Sequence, residues 1–209
     1  MTITSAVTTK LDAVNVLLGS IGESPVNQLD SGFERADIAE NVIEEVSRSV
    51  QLVGWNWNTE EKYPLKVNSS DEIVLPTNLL KLDAQNKKYL VRGSKLYDKV
   101  AHSYKFSADI SATVVLFLQF DELPEVARQY IMYRAGRVYQ GRVVGSTVLH
   151  QFTKEEEGYA FSQLKAHEQE TGNYNIFHNK ELALMLDRSS SRSFVDVYPG
   201  LNHGVITDV

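Results

Sequence analysis

The sequence predicts an α+β protein in which a small antiparallel β insert separates the second and third helices of an antiparallel four-helix bundle. Apolar residues recur at helical spacing near both ends, and between them the pattern changes to short strands. A long segment without a clear period follows the last helix. The predicted parts are residues 1–56 (first helical hairpin), 57–120 (β insert), 121–172 (second helical hairpin) and 173–209 (extended C-terminal interaction tail).

The first helical hairpin is predicted from two apolar stripes. The first helix is expected over residues 4–18, and the second from Ser31 to a stop at Gly54. Ser31 and Glu34 have the spacing of a capping box, in which each side chain bonds the backbone amide of the other residue. The stripes consist of Val7, Leu11, Val14 and Leu18 in the first helix and of Ala39, Val42, Val46 and Val50 in the second.

Residues 57–120 have the turn spacing of a small sheet. The pair Gly93-Ser94 predicts a tight hairpin, because glycine readily adopts the positive φ that such a turn needs. The short spacing between strands leaves no room for crossover helices, so the sheet should be antiparallel. The predicted strands are residues 62–67, 72–75, 79–83, 88–92, 95–98 and 112–120.

The second helical hairpin begins with an acidic turn beside Pro124, which suits the positive end of the helix dipole. The fourth helix is expected to start at Thr153, where Thr153 and Glu156 have the spacing of a second capping box, and to end at Gly172. The apolar stripes consist of Leu123, Ala127, Tyr130 and Val138, with Arg134 intruding, and of Ala160, Phe161 and Leu164.

The composition limits the possible functions. Apolar residues make up 43% and charged residues 23% of the chain, which favours a folded protein over a disordered one. The absence of cysteine excludes disulfides and thiolate zinc sites, so the chain is expected to fold in a cytoplasm. Its net charge of −6 argues against tight binding to the phosphate backbone of DNA, although a duplex could slide past an acidic surface.

The sequence predicts no catalytic site, no cofactor site and no metal site. The five histidines lack the paired spacing of metal ligands, and the glycines lack a phosphate-binding pattern. The longest apolar run, residues 114–118, is too short to span a membrane. Acidic residues at 121–125 and 155–157 could supply the acid and base of a glycosidase. Acids also stabilise the first turn of a helix without any catalytic role, and this interpretation is favoured.

The tryptophan pair is expected to pack inside the chain, whereas the C-terminal segment points to contacts with other proteins. Trp55 and Trp57 could form a stacking platform, but packing between the insert and the helices is the favoured interpretation. The segment 173–209 is too apolar for a solvated tail and too irregular to form its own core, so a partner is expected to order it. The candidate interface residues are Arg128, Arg134, Arg137 and Arg142 of the third helix and Phe177, Leu184, Leu186, Phe194 and Tyr198 of the tail.

An ordered set of segments resembles the tail tubular protein A, or head–tail adaptor, family of short-tailed phages (podoviruses). The resemblance covers roughly residues 5–178, and it departs from the family at Asn56, where an aromatic residue is expected. The matching segments are AVNVLLGSIGESPV at 13–26, QLVGWNWNT at 51–59, LP and NLL at 75–80, KLYD at 95–98, LPE and YI at 123–131, RAGRVYQ at 134–140 and GNYNI at 172–176.

The resemblance implies a structural virion protein, made in the host cytoplasm and located at the head–tail interface. It implies a dodecameric ring between the portal protein and the tail nozzle protein (tail tubular protein B). Genomic DNA would pass through the ring without sequence-specific binding, and no membrane, cofactor or enzymatic activity is involved. The alternative is a virion-associated peptidoglycan-degrading enzyme that uses Glu/Asp acid–base chemistry. A DNA-binding regulator is disfavoured by the negative charge.

Overall fold

The computed structural model describes residues 7–84, 88–145 and 147–172, with side chains from residue 154 onwards in the last range. The chain divides into two compact units, Met1–Asn173 and Tyr174–Val209, and the described residues all lie in the first. The boundaries predicted near residues 56 and 120 remain predictions. The tail candidates Phe177, Leu184, Leu186, Phe194 and Tyr198 lie outside the described residues.

Helix α1 (Lys10–Gly19) begins with a capping box that the sequence analysis missed. The Thr9 hydroxyl accepts a hydrogen bond from the Asp12 amide at 3.1 Å, and the Asp12 carboxylate accepts one from the Thr9 amide at 2.9 Å. The predicted start at residue 4 was too early, because Thr9 still has an extended backbone with ψ near 163°. The apolar stripe is confirmed for Val14 and Leu18, which are buried, whereas Leu11 is half-buried and Val7 lies before the helix and is exposed.

Helix α2 (Glu34–Gln51) does not have the predicted capping box at Ser31. Phe33 is its N-cap and makes no side-chain capping bond, whereas the Ser31 hydroxyl accepts from the Phe33 amide at 3.4 Å. Ser31 lies two residues before the N-cap, so the reciprocal bonds of a capping box cannot form there. The predicted apolar stripe is confirmed, since Ala39, Val42, Val46 and Val50 are buried.

Five strands form two antiparallel sheets, which confirms the predicted strand direction. A three-stranded sheet has the order β1-β5-β2, and β3 and β4 form a hairpin through Gly93, whose φ is 59°. Predicted strand 72–75 contributes only isolated bridges, and predicted strand 112–120 is shifted towards the N-terminus because a 3-10 turn begins at Phe120. The strands are β1 (Thr59–Leu65), β2 (Leu79–Asp83), β3 (Tyr89–Arg92), β4 (Lys95–Asp98) and β5 (Ile110–Leu116).

Helix α3 (Glu125–Val143) follows Pro124, as predicted, but helix α4 (Thr147–Thr171) begins six residues before the predicted start. Thr153 and Glu156 therefore lie inside α4, and the second capping box is wrong. The connection after α3 is short because Gly145 takes a positive φ of 69° and the chain re-enters a helix at once. The acidic run 155–157 consequently lies in the third turn of α4, away from the positive end of its dipole.

The helical part is organised around α3. Helices α1 and α2 pack against α3 and against each other, whereas the main packing partner of α4 is α3 alone. Leu17, Ile43, Ile131 and Leu164 bring one fully buried side chain from each helix into this core. The α+β class is confirmed. The antiparallel four-helix bundle remains a prediction, because each helix of such a bundle packs against two neighbours.

The β insert has a core of its own. Strand residues and residues of the connecting segments contribute to it together. The segment at 72–75 contributes to this core although it is not a full strand, because the side chains of Ile73 and Leu75 are buried. The buried residues of this core are Leu65, Ile73, Leu75, Ala84, Leu96, Phe106 and Ala112.

Candidate interaction surfaces

Arg128 is buried, although it was expected to be exposed together with Arg134, Arg137 and Arg142, which form a row of arginines along α3. Its guanidinium donates hydrogen bonds to the carbonyl oxygens of Leu123 at 2.8 Å, Thr8 at 2.8 Å and Asp121 at 2.5 Å. Its exposed fraction is 8%. Arg128 therefore joins the segment before α1 to the start of α3, and this placement does not suit a contact with another protein.

Two further arginines of this row have carboxylate partners inside the chain. Arg137 forms an ion pair with Glu157, which ties α3 to α4. Arg142 forms a bidentate pair with Glu45 of α2, at 2.7 and 2.9 Å. The Arg142 pair is exposed, so it remains accessible to a partner.

Arg134 differs from its neighbours in the row. Its guanidinium donates to the hydroxyl of Tyr130 at 3.0 Å, and the described side chains provide no carboxylate partner for it. It is half-buried. Of the four arginines, Arg134 is thus the best candidate for a contact with another protein.

The carboxylates that suggested acid–base chemistry have structural roles in the folded chain. Glu122 accepts a hydrogen bond from the Gln119 amide at 2.7 Å. Glu125 accepts from the amide and hydroxyl of Thr8 at 2.8 and 2.6 Å. Burial acts to raise the pKa of Glu125, but the hydrogen bonds from Thr8 and Gln129 and the charge of Arg128 together outweigh it and hold the pKa below its ordinary value. A general acid needs the opposite shift.

A groove between α3 and α4 provides one candidate contact surface. It has a volume of about 320 Å³ and contains two carboxylates and the well exposed ring of Tyr159. Its lining has no histidine, and its two carboxylates, Glu155 and Glu156, are exposed and so lack the burial that prepares a general acid. The groove therefore suits the side chains of another protein better than a reaction. The lining residues are Gln129, Tyr133, Glu155, Glu156, Tyr159, Ala160 and Gln163.

A second candidate surface is the β3–β4 hairpin with its flanking loops. Several of its apolar side chains are exposed, and the sequence analysis missed this. Strand alternation shows which residues share a face, but it does not show that both faces of β3 lie open. The exposed apolar residues are Val74, Leu90, Val91, Val100 and Tyr104.

The tryptophan pair is part of the core, which confirms the packing interpretation. Trp55 is 2% exposed, its indole N–H donates to the Val50 carbonyl at 2.8 Å, and its ring stacks on Trp57 at 6.4 Å between centroids. Gly54 precedes the pair with φ of 85°, and a Cβ there would lie 3.0 Å from a methyl group of Val115. The end of α2 is therefore fixed tightly against the β insert.

Glu168 is a buried acid near the end of α4. One carboxylate oxygen accepts from the Asn56 amide at 2.7 Å, and the other has no hydrogen-bond partner among the described residues. Burial raises the pKa of Glu168, and the bond from Asn56 and the charge of His167 offset this only in part. This contact holds the end of α4 on the junction between α2 and the insert.

The Glu168→Gln variant should gain stability relative to the natural chain as the pH rises. Near pH 4 the carboxyl is protonated in both the folded and the unfolded chain, so its burial costs little. As the pH rises through the ordinary value of 4.5, the unfolded chain releases its proton first and the folded chain loses stability until its own raised pKa is passed.

Urea unfolding at about pH 4 and about pH 7 measures this effect as the difference between the two proteins. Glu155→Gln, at an exposed position of the same helix, controls for the loss of one negative charge. If the difference in unfolding free energy between Glu168→Gln and the natural chain does not change with pH, the raised pKa of Glu168 is contradicted.

Within the described residues, no cluster of three or more His, Asp or Glu side chains could hold a metal ion. His102 lies in the loop after β4, and His167 lies on α4, far apart in sequence and on different elements. None of the helices among these residues is long and apolar enough to cross a membrane.

Comparison with known proteins gives two matches. A family model described as tail tubular protein matches residues 11–174, which includes the four helices and the β insert. The chain is also similar to "Tail tubular protein A" of Klebsiella phage KP34. The two sequences are 29% identical over 161 residues, which cover 76% of this chain and 86% of that protein.

Proposed function

This chain belongs to the tail tubular protein family, and on that premise we propose that it is the adaptor between the portal and the tail nozzle of a short-tailed phage. In this proposal it forms a dodecameric ring with a central channel through which genomic DNA passes. Family membership by itself establishes a structural component of the virion tail that is not an enzyme, as the sequence analysis predicted. The family match over residues 11–174 is the observation that carries the proposal.

The distribution of charge supports a ring of identical subunits. Residues 57–120 contain nine Lys/Arg and seven Asp/Glu, a net charge of +2. Since the whole chain carries −6, the remaining residues carry −8. A surface with opposite charges on different parts favours head-to-tail contacts between copies, which close into a ring when the rotation allows it. The acidic remainder would also keep a passing DNA duplex from adhering.

The described surfaces fit this role because they offer contact area without a reactive site. The α3–α4 groove and the exposed apolar residues of the hairpin are available to neighbouring subunits or to the partner rings. The peptidoglycan-degrading alternative receives no support from the family match, and Glu122 and Glu125 are engaged in hydrogen bonds with Gln119 and Thr8. The proposed contacts with neighbours or with the portal protein also include Arg134 and the tail residues Phe177, Leu184, Leu186, Phe194 and Tyr198.

Mixing the protein with the portal ring of its own phage should give a second ring stacked below the portal and of the same symmetry. The portal supplies a template that raises the local concentration of subunits, so assembly is expected there even if the free chain is a monomer. Electron microscopy of the mixture, with the portal ring alone as control, measures this directly. Portal rings that stay bare at saturating protein would overturn the adaptor assignment.

A further inference from the structure

The outer edge of strand β3 has unpaired backbone groups. In the hairpin, Leu96 of β4 donates its amide away from β3, to the carbonyl of Ile73 at 3.0 Å. Its pairing partner Val91 must then point its own N–H and C=O away from β4. The same holds for Tyr89, because the amide of its partner Asp98 donates to Ser103 at 2.9 Å. No described residue pairs with this outer edge of β3.

The edge strands β1 and β2 of the three-stranded sheet are protected, and β3 is not. Edge strand β1 has a bulge between Glu60 and Tyr63, with Lys62 at a φ of 56°, and it also contains Pro64. Edge strand β2 has an irregular register near Leu79. Bulges and proline are two of the means by which proteins prevent further strand pairing. The absence of both from β3 leaves an edge that can accept another strand.

The side chains on β3 favour the binding of a further strand at this edge. Leu90 and Val91, which point to opposite faces, are 39% and 46% exposed, so an added strand would find apolar contacts on both faces. The surroundings are basic, since residues 88–105 contain five Lys/Arg and one Asp. The strand that fits this edge is therefore one with apolar side chains on both faces and an acidic charge.

Residues 193–198, Ser-Phe-Val-Asp-Val-Tyr, have this character. They are rich in β-branched and aromatic residues, contain Asp196, follow a serine-rich stretch and end before Pro199-Gly200. Residues 193–209 contain two Asp and no Lys or Arg. The 20 residues between Gly172 and Ser193 span up to about 70 Å when extended, which is enough to reach another subunit.

We propose that residues 193–198 of one copy add as a strand to the outer edge of β3 in a neighbouring copy. The backbone of the added strand bonds to the N–H and C=O groups of Tyr89 and Val91, and Asp196 lies near the basic residues of the hairpin. This inference rests on the proposed ring, in which each subunit binds the tail of one neighbour. It gives the tail the role of a latch between subunits.

Cysteine cross-linking can test the pairing cleanly, because the chain has no native cysteine. Chains with Leu90→Cys are mixed with size-tagged chains that carry one cysteine at a position from Phe194 to Tyr198, and rings are assembled on the portal and oxidised. Each chain has a single thiol, so every disulfide joins two copies. Since a disulfide needs Cα atoms within about 7 Å of each other, cross-links are expected at the one tail position that lies opposite Leu90, and the two sequence neighbours of that position, which point to the other face, should cross-link far less.

Glu61→Cys, on the protected β1 edge, is the matched control and should not cross-link. Rings that form without Leu90 cross-links, or with equal cross-linking at all five tail positions, would overturn this inference and leave the ring itself intact. Failure to form rings on the portal would instead remove the proposed function, and the inference with it.

Hydrogen exchange provides a second measurement on the natural sequence. In assembled rings the amide of Val91 should exchange at least tenfold more slowly than in rings of a chain that ends at Arg192. The amide of Leu90, which bonds within the hairpin, serves as the internal reference. Equal exchange of Val91 in the two kinds of ring would contradict strand addition.

Discussion

Replacing Trp55 with alanine should lower the free energy of unfolding by about 3–5 kcal/mol, the range measured for truncation of large buried aromatic residues. The side chain is 2% exposed, so its removal leaves a cavity in the core. The variant also leaves the Val50 carbonyl without the indole N–H that donates to it at 2.8 Å, and it removes the ring on which Trp57 stacks. Urea unfolding followed by circular dichroism measures the loss.

Leu52→Ala is the matched control, because Leu52 lies in the same turn but is half exposed. Its effect should stay within about 0.5 kcal/mol. Comparable losses in the two variants would show that the junction between α2 and the insert does not depend on the buried indole. Since this junction joins the helices to the insert, Trp55→Ala should also reduce ring assembly on the portal.

Local patterns in the sequence were enough to predict the elements whose stability is local. The β3–β4 hairpin follows from Gly93-Ser94, and its strands were placed within one residue. The apolar stripe of α2 was predicted for the same reason, because the helical period that marks its buried side is contained in the sequence of the helix.

Features that depend on distant residues could not be predicted. Gln51 and Asn58 are buried and bonded to the backbone at the end of β5 and just after it. The Gln51 side chain bonds both the amide and the carbonyl of Leu118, and Asn58 bonds the Leu116 carbonyl. These contacts join residues about 60 positions apart, and nothing in the local sequence indicates them. The start of α4 was misplaced because the capping-box spacing of Thr153 and Glu156 is a local signal, whereas the observed helix begins earlier, at Thr147, and packs on α3.

The arginine row shows the same limitation at the candidate surfaces. Helical spacing places Arg128 and Arg142 on the same helix, but it does not distinguish a guanidinium surrounded by carbonyls from one in solvent. The difference comes from the segment around Thr8, which passes over the start of α3 and covers Arg128. A structural role for Arg128 was visible only once the N-terminal segment was placed.

Replacing Arg128 with lysine should therefore destabilise the protein by about 2–4 kcal/mol, because buried acceptors left without a donor each cost about 1–3 kcal/mol. Arg128 bonds the carbonyl oxygens of Thr8, Asp121 and Leu123 through three different nitrogens of its planar group. The single ammonium of lysine cannot reach all three positions, although it keeps the charge. The loss should be largest for the contact with Thr8, so the segment before α1 should become susceptible to proteolysis.

Arg142→Lys is the matched control, since it makes the same change on the same helix at an exposed pair with Glu45. Its unfolding free energy should change little, because exposed ion pairs contribute little to stability. Unfolding in urea together with limited proteolysis of both variants distinguishes a stabilising role within the subunit from a role in a contact between proteins. The sequence alone does not make this distinction. A stable Arg128→Lys variant that fails to assemble on the portal would return Arg128 to the interface, whereas an unstable one with a cleaved N-terminal segment would show that it acts within the subunit.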